Sequence, residues 1–128
     1  WMAGFLTMSL TSGLILSVVF QLAHTVEDTS FPEATEEKTM ENEWAIHQLQ
    51  TTANFATKNK LISWLVGGLN FQIEHHLFPK ISHVHYPAIS EIIRKTCEDF
   101  DIRYIEYRKM RHALVSHTLH LKKLGRAD

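Results

Sequence analysis

One cysteine, Cys97, stands in 128 residues. A lone cysteine excludes an internal disulfide and any paired-cysteine metal or redox site. On a helix it reads as a small core residue. Charge is missing from one end, since residues 1–26 contain no Asp, Glu, Lys or Arg. The whole chain has a formal net charge of −1, which gives no electrostatic basis for a nucleic-acid partner. Several catalytic signatures are also missing. There is no HExxH of the zinc hydrolases, no GxSxG nucleophile elbow, no P-loop and no Gly-rich dinucleotide turn. No internal repeat or low-complexity tract divides the chain, and its length suits a single unit with a modest core.

What is present begins with "FLTMSLTSGLILSVVFQLA", residues 5–23, a run without a charged side chain. A bilayer core takes roughly 20 apolar residues in a helix, so the run is expected to be a transmembrane helix ending near His24. No basic residues precede it and no A-x-A site ends it, which argues against a signal peptide. The opening "WMAG", without an initiator methionine, is read as a cut from a longer protein. His24 falls where an ionisable group marks either the interface or a functional site. Residues 27–43 then hold seven acidic side chains against Lys38. They are expected to form a polar connector with some helix after Pro32. Ten of the thirteen Lys and Arg residues lie from Lys80 onward, weakly consistent with a cytoplasmic tail.

"NEWAIHQLQTTANF" sets Trp44, His47, Gln48 and Thr51 at helical spacing, a face that either lines a polar cavity or meets solvent. "KLISWLVGGLNFQIEHHLF" is apolar from Leu61 to Ile73 and broken by Gly67 and Gly68. It is expected to be a re-entrant or interfacial element running to Phe78, with Pro79 ending it. "YPAISEIIRKTCEDF" reads as an amphipathic helix with Pro87 in its first turn and Ile89, Ile92, Ile93 and Cys97 on one face. "DIRYIEY" is expected to be extended. A last helix spans about Arg108–Leu124, with Met110, Ala113, Leu114, His117, Leu121 and Leu124 along one side and Gly125 stopping it. The expected fold class is all-α: an integral membrane fragment with one transmembrane helix followed by cytoplasmic amphipathic helices. Its parts are a membrane helix at 1–26, an acidic connector and short polar helix at 27–60, and a histidine-bearing segment with C-terminal helices at 61–128.

The chemistry concentrates in "NFQIEHHLFP", residues 70–79. On a helix, Gln72, His75 and His76 stand at i, i+3 and i+4 and share one face. Glu74 points elsewhere, as a supporting partner or a surface charge. Adjacent histidines diverge by about 100° around the axis, so they either serve two metal ions, or one metal and a hydrogen-bond network, or stand as structural residues satisfied by hydrogen bonds. Nitrogen donors suit iron, zinc, copper or nickel better than magnesium or calcium. His83 and His85 in "SHVHY" read as turn residues or partners for Tyr86 in preference to metal ligands. His112, His117 and His120 read as structural or surface groups, and His47 is left open.

"QIEHHLFP" resembles the third histidine box, (H/Q)xxHH, of the membrane fatty acid desaturases. The glutamine form is similar to that of the front-end, linoleoyl-CoA-desaturase-like branch. "FQLAHTVEDTSFP" resembles the segment that carries an extra histidine ligand, and "EWAIHQLQTTANF" and "HVHYPAISEIIRKTCEDFDIRY" resemble further consecutive parts. The resemblance covers nearly the whole chain. It implies an enzyme that introduces a cis double bond into an acyl chain with O2 and two histidine-held iron ions. Electrons then come from cytochrome b5 or a ferredoxin, and the substrate is an acyl-CoA or acyl-lipid beside the bilayer. Carried over by position, His24, His75 and His76 are metal ligands, with Gln72 in the first position of the box acting through a water or by supporting a ligand from behind it. Phe20 stands where some relatives have an asparagine. The family's first two boxes and the HPGG haem motif of a fused cytochrome b5 are absent from these residues. The fragment alone is therefore expected to be inactive, and the active site is expected on the cytoplasmic side. The alternatives are a related di-iron hydroxylase and a non-catalytic membrane-anchored interaction module.

Overall fold

Met2–His24 forms one uninterrupted helix, α1, with no charged side chain before its final histidine. The structure, a computed structural model, describes residues 1–32 and 44–126. The helix expected after Pro32 falls at 33–43, outside the described residues. Helix α1 has a mean hydropathy of 1.8 and is long and apolar enough to cross a membrane. Its residues 2–17 are exposed, whereas Val19, Leu22 and Ala23 are buried against the rest of the chain. The packing therefore holds only the last turns of the helix.

Among the described residues five further α-helices follow: α2 (Trp44–Thr51), α3 (Lys60–Leu65), α4 (Gln72–Leu77), α5 (Tyr86–Asp99) and α6 (Met110–Leu124). The fold is mostly helical, but not all-α. Strand β1 (Asn54–Phe55) pairs in parallel with β2 (Glu106–Tyr107), in the register Asn54 to Glu106 and Phe55 to Tyr107. A two-residue pair is too short to leave an alternating pattern in the sequence. It nonetheless ties the two ends of a long crossover that contains α3, α4 and α5.

The expected single element from Leu61 to Phe78 is two short helices around a turn. Asn59 caps α3 by accepting from the amides of Leu61 and Ile62 at 3.1 Å each. Gly67 (φ 58°) and Gly68 (φ 78°) then take the left-handed backbone that ends it. Gly68 has a second reason to lack a side chain: a Cβ there would lie 2.6 Å from His83 Cβ. The extended reading of "DIRYIEY" holds at its end, in β2.

Among the described residues three apolar clusters make the core. Val19, Leu22, Ala23, Phe55, Ala56 and Ala113 join the end of α1 to β1 and α6. Leu49, Ile73, Ile93 and Cys97 join α2, α4 and α5. Val26, Ala53 and Ile105 fill the space between the strands and the segment after α1. Burying a side chain such as Leu22 or Phe55 stabilises by about 1.5–3 kcal/mol. The core reading of Cys97 holds. In α5 the inward face is Ile93 and Cys97, while Ile92 is exposed, and in α6 it is Ala113 and Ser116 rather than Leu114, Leu121 and Leu124. Polar contacts explain that rotation of α6: Ser116 Oγ accepts from the Glu27 amide at 3.0 Å, and His117 Nδ1 donates to the Thr25 carbonyl at 2.6 Å.

Candidate functional site

The end of α1, helix α2 and helix α4 meet at a group of imidazoles. His24 closes α1, and its ring lies 4.9 Å from that of His76, centroid to centroid. The His75 and His76 rings are 5.8 Å apart and nearly perpendicular, at 84°. His24 and His76, 52 residues apart in sequence, are thus brought side by side.

Each imidazole is held by Nδ1. His24 Nδ1 is 3.3 Å from the Thr51 carbonyl oxygen, and His76 Nδ1 is 2.8 Å from Gln48 Oε1. Both oxygens only accept, so both Nδ1 atoms carry the proton and both Nε2 lone pairs are left for another partner. His75 Nδ1 lies 3.3 Å from the Tyr86 hydroxyl. Burial first, then the neighbouring His24 and His75 rings, hold the His76 pKa down to about 4. The ring is therefore neutral at ordinary pH, the state that coordinates a metal.

Gln72 is 0% exposed, and neither atom of its carboxamide has a partner among the described residues. An unpaired buried amide costs about 1–3 kcal/mol, so this one calls for a ligand or water. His47 Nδ1 is likewise buried and unpartnered there. His83 and His85 occupy an exposed 3₁₀ turn, His112 is exposed, and His120 sits 6.5 Å from the Phe31 ring. Their reading as turn, structural or surface groups stands.

The surface reading of Glu74 is overturned. Its side chain is 0% exposed. Asn54 Nδ2 donates to Glu74 Oε2 at 2.7 Å, and Tyr104 Oη donates to Glu74 Oε1 at 2.8 Å. Burial raises the Glu74 pKa above the usual carboxylate range, against these two hydrogen bonds. Asn54, Tyr104, Gln48 and Tyr86 are the residues that sequence reasoning does not place at the site. Only Gln48 carries a usable signal, through its position on the same face as His47 and Thr51 in α2.

The donor set fits a late first-row metal in kind. It offers imidazoles, each oriented through Nδ1, and a buried carboxamide without a partner among the described residues. In number it falls short, because among the described residues no three His, Cys, Asp or Glu side chains converge to hold an ion.

The profile of the fatty acid desaturases matches residues 1–108. The chain belongs to the fatty acid desaturase family. Among its relatives, the sn-1 linoleoyl-lipid 6-desaturase of Synechocystis sp. is 42% identical over 121 residues, covering 93% of this chain and 33% of that protein. The acyl-lipid (8-3)-desaturase of Physcomitrium patens is 43% identical over 125 residues, covering 98% of this chain and 26% of that protein. The sn-1 linoleoyl-lipid 6-desaturase of Arthrospira platensis is 44% identical, covering 91% and 31%. The chain thus spans about a quarter to a third of the length of these desaturases. No solved structure matches it.

Proposed function

We propose that the protein containing these residues introduces a cis double bond into a fatty acyl chain, and that His24, His75 and His76 hold part of a pair of iron ions. The observation that carries this reading is the meeting of three Nδ1-anchored imidazoles at the end of an apolar helix, in a chain of the desaturase family. Iron, when bound, supplies with O2 the oxidising power to remove two hydrogens from an unactivated acyl chain.

The chain's own groups do the rest. Thr51, Gln48 and Tyr86 fix the three rings so that each presents Nε2. The Gln72 carboxamide, shielded from solvent, binds a water beside them or reaches the metal directly. Exposed apolar residues along α1 keep the site at the bilayer, where an acyl chain is delivered. Forming one double bond removes two electrons from the substrate, and reducing O2 to water takes four. An external one-electron donor such as cytochrome b5 or a ferredoxin supplies the difference. The basic residues after Lys80 favour the cytoplasmic side for this face. The names of the relatives favour a lipid-linked acyl chain over acyl-CoA. Segments 1–26, 27–60 and 61–128 act in this reading as the membrane helix, the connector and the histidine-bearing part of one desaturase domain.

The test is a fatty-acid profile of cells expressing the complete reading frame, with electron donor and substrate supplied. A new unsaturated species that disappears with His76→Ala is expected. A hydroxylated species in its place would keep the iron site but change the reaction. An unchanged profile with verified expression would overturn the enzymatic reading in favour of a non-catalytic module.

A further inference from the structure

A carboxylate that is fully buried, next in sequence to two site histidines and facing no cation, requires a structural reason. Helix α4 has one turn and a half and lacks a cap from its own segment: Phe71 provides no side-chain hydrogen bond. Asn54, on β1, replaces it. Its Oδ1 accepts from the Ile73 amide at 2.9 Å, so a residue nineteen positions earlier caps the helix start. The same carboxamide donates through Nδ2 to Glu74 Oε2 at 2.7 Å and to Tyr104 Oη at 2.7 Å. Tyr104 closes the ring by donating to Glu74 Oε1 at 2.8 Å, and Ser90 Oγ lies 3.3 Å from the same phenol oxygen. The parallel pairing of β1 with β2 sets Asn54 and Tyr104 side by side although they are fifty residues apart.

Helical geometry gives this ring its consequence. With Glu74 at 0°, Gln72, His75 and His76 fall at about 160°, 100° and 200° around the axis, centred nearly opposite. Fixing Glu74 therefore fixes the rotation of α4 that aims the histidine face at His24. A helix this short does not hold itself in place, because nucleation is costly and few internal hydrogen bonds are made.

We propose that Glu74 is a positioning residue: anchored by Asn54 and Tyr104, it locks the rotation of α4 so that His75 and His76 meet His24. This rests on the iron-site reading above for its functional meaning, but not for its geometry.

The test uses the complete protein in detergent and two readouts: amide hydrogen exchange of the 70–79 segment, and iron retained after equilibration with ferrous iron alone. Glu74→Gln places an amide donor among the donors of Asn54 and Tyr104. It is expected to speed exchange in 70–79 at least about tenfold, with α1 and α5 unchanged, and to lower retained iron at least about fivefold. The double variant Asn54→Asp/Glu74→Gln keeps the acceptor for the Ile73 amide and reverses the 54–74 hydrogen bond. It is expected to return both readouts at least halfway to wild type. Glu91→Gln, at an exposed position on α5, is the control. If Glu74→Gln fails to accumulate, recovery of accumulation in the double variant supports the lock, and failure of both overturns it. Wild-type exchange and iron retention in Glu74→Gln would also overturn it. If the wild type itself retains no iron, the iron-site reading falls, while the exchange comparison still decides the lock.

Discussion

His76 shows what a single side chain at this site is asked to do. Its Nδ1 bonds Gln48 Oε1 at 2.8 Å, and burial, helped by its neighbours, keeps it neutral, so the ring is oriented before any ligand arrives. Gln48→Ala removes that orientation without touching a proposed ligand. Iron affinity of the complete protein is expected to fall by about 10–100-fold, read by titration with ferrous iron, while the level of protein in membranes is unchanged. The histidines themselves were legible because (H/Q)xxHH places three groups on one helix face at fixed offsets. Their supports were not. The Asn54 and Tyr104 contacts to Glu74 depend on a strand pairing of only two residues, and no local spacing encodes that pairing.

Among the elements, the turn between α3 and α4 carries the sharpest demand on sequence. Gly68→Ala forces a Cβ into a left-handed backbone and against His83. Destabilisation of about 1–3 kcal/mol is expected, read as a lower thermal midpoint in detergent. Unchanged unfolding would mean that His83 gives way. The join between α1, β2 and α6 adds a pH-dependent contribution through Asp28, which accepts from Tyr107 and pairs with Arg103. The Tyr107 hydrogen bond, opposed by burial and helped by Arg103, lowers its pKa below the ordinary 3.8. A carboxyl with a depressed folded pKa binds fewer protons in the folded state. Its stabilisation is complete above the ordinary value and is lost as pH falls through the folded one. The half-exposed pair contributes about 1 kcal/mol. Thermal unfolding is therefore expected to show Asp28→Asn less stable than wild type at neutral pH, with the gap closing below about pH 4. A gap that persists in acid would assign the loss to packing. Helices α1, α2, α5 and α6 were readable from apolar runs and periodicity. The faces of α5 and α6 were misread in part because hydrogen bonds from Ser116 and His117, rather than hydrophobicity, turn α6 toward α1.

At the scale of the whole molecule, the dominant feature is unburied apolar surface. Residues 2–17 of α1 are exposed, and so are Leu61, Trp64 (77%) and Leu65 on α3. An open apolar groove of about 420 Å³ runs between them, lined by Leu14, Ile15, Val18, Ile62, Val66 and Met110. Continuous apolar surface on this scale is stable in lipid or against other helices, not in water. Protein expressed in cells is expected to stay with membranes through an alkaline carbonate wash and to need detergent for release. Release by carbonate alone would remove α1 as a membrane span. The exposed apolar character was legible in the charge-free run, whereas the packing of its last turns against β1 and α6 was not. The central claim is that His24, His75 and His76 act together on iron. The most direct measurement is the iron content of the purified complete protein, wild type against His24→Ala, His76→Ala and the exposed-site control His112→Ala. The account predicts about two iron ions per polypeptide in wild type and control and at least about a twofold loss in both site variants. Equal iron in all four proteins would contradict it.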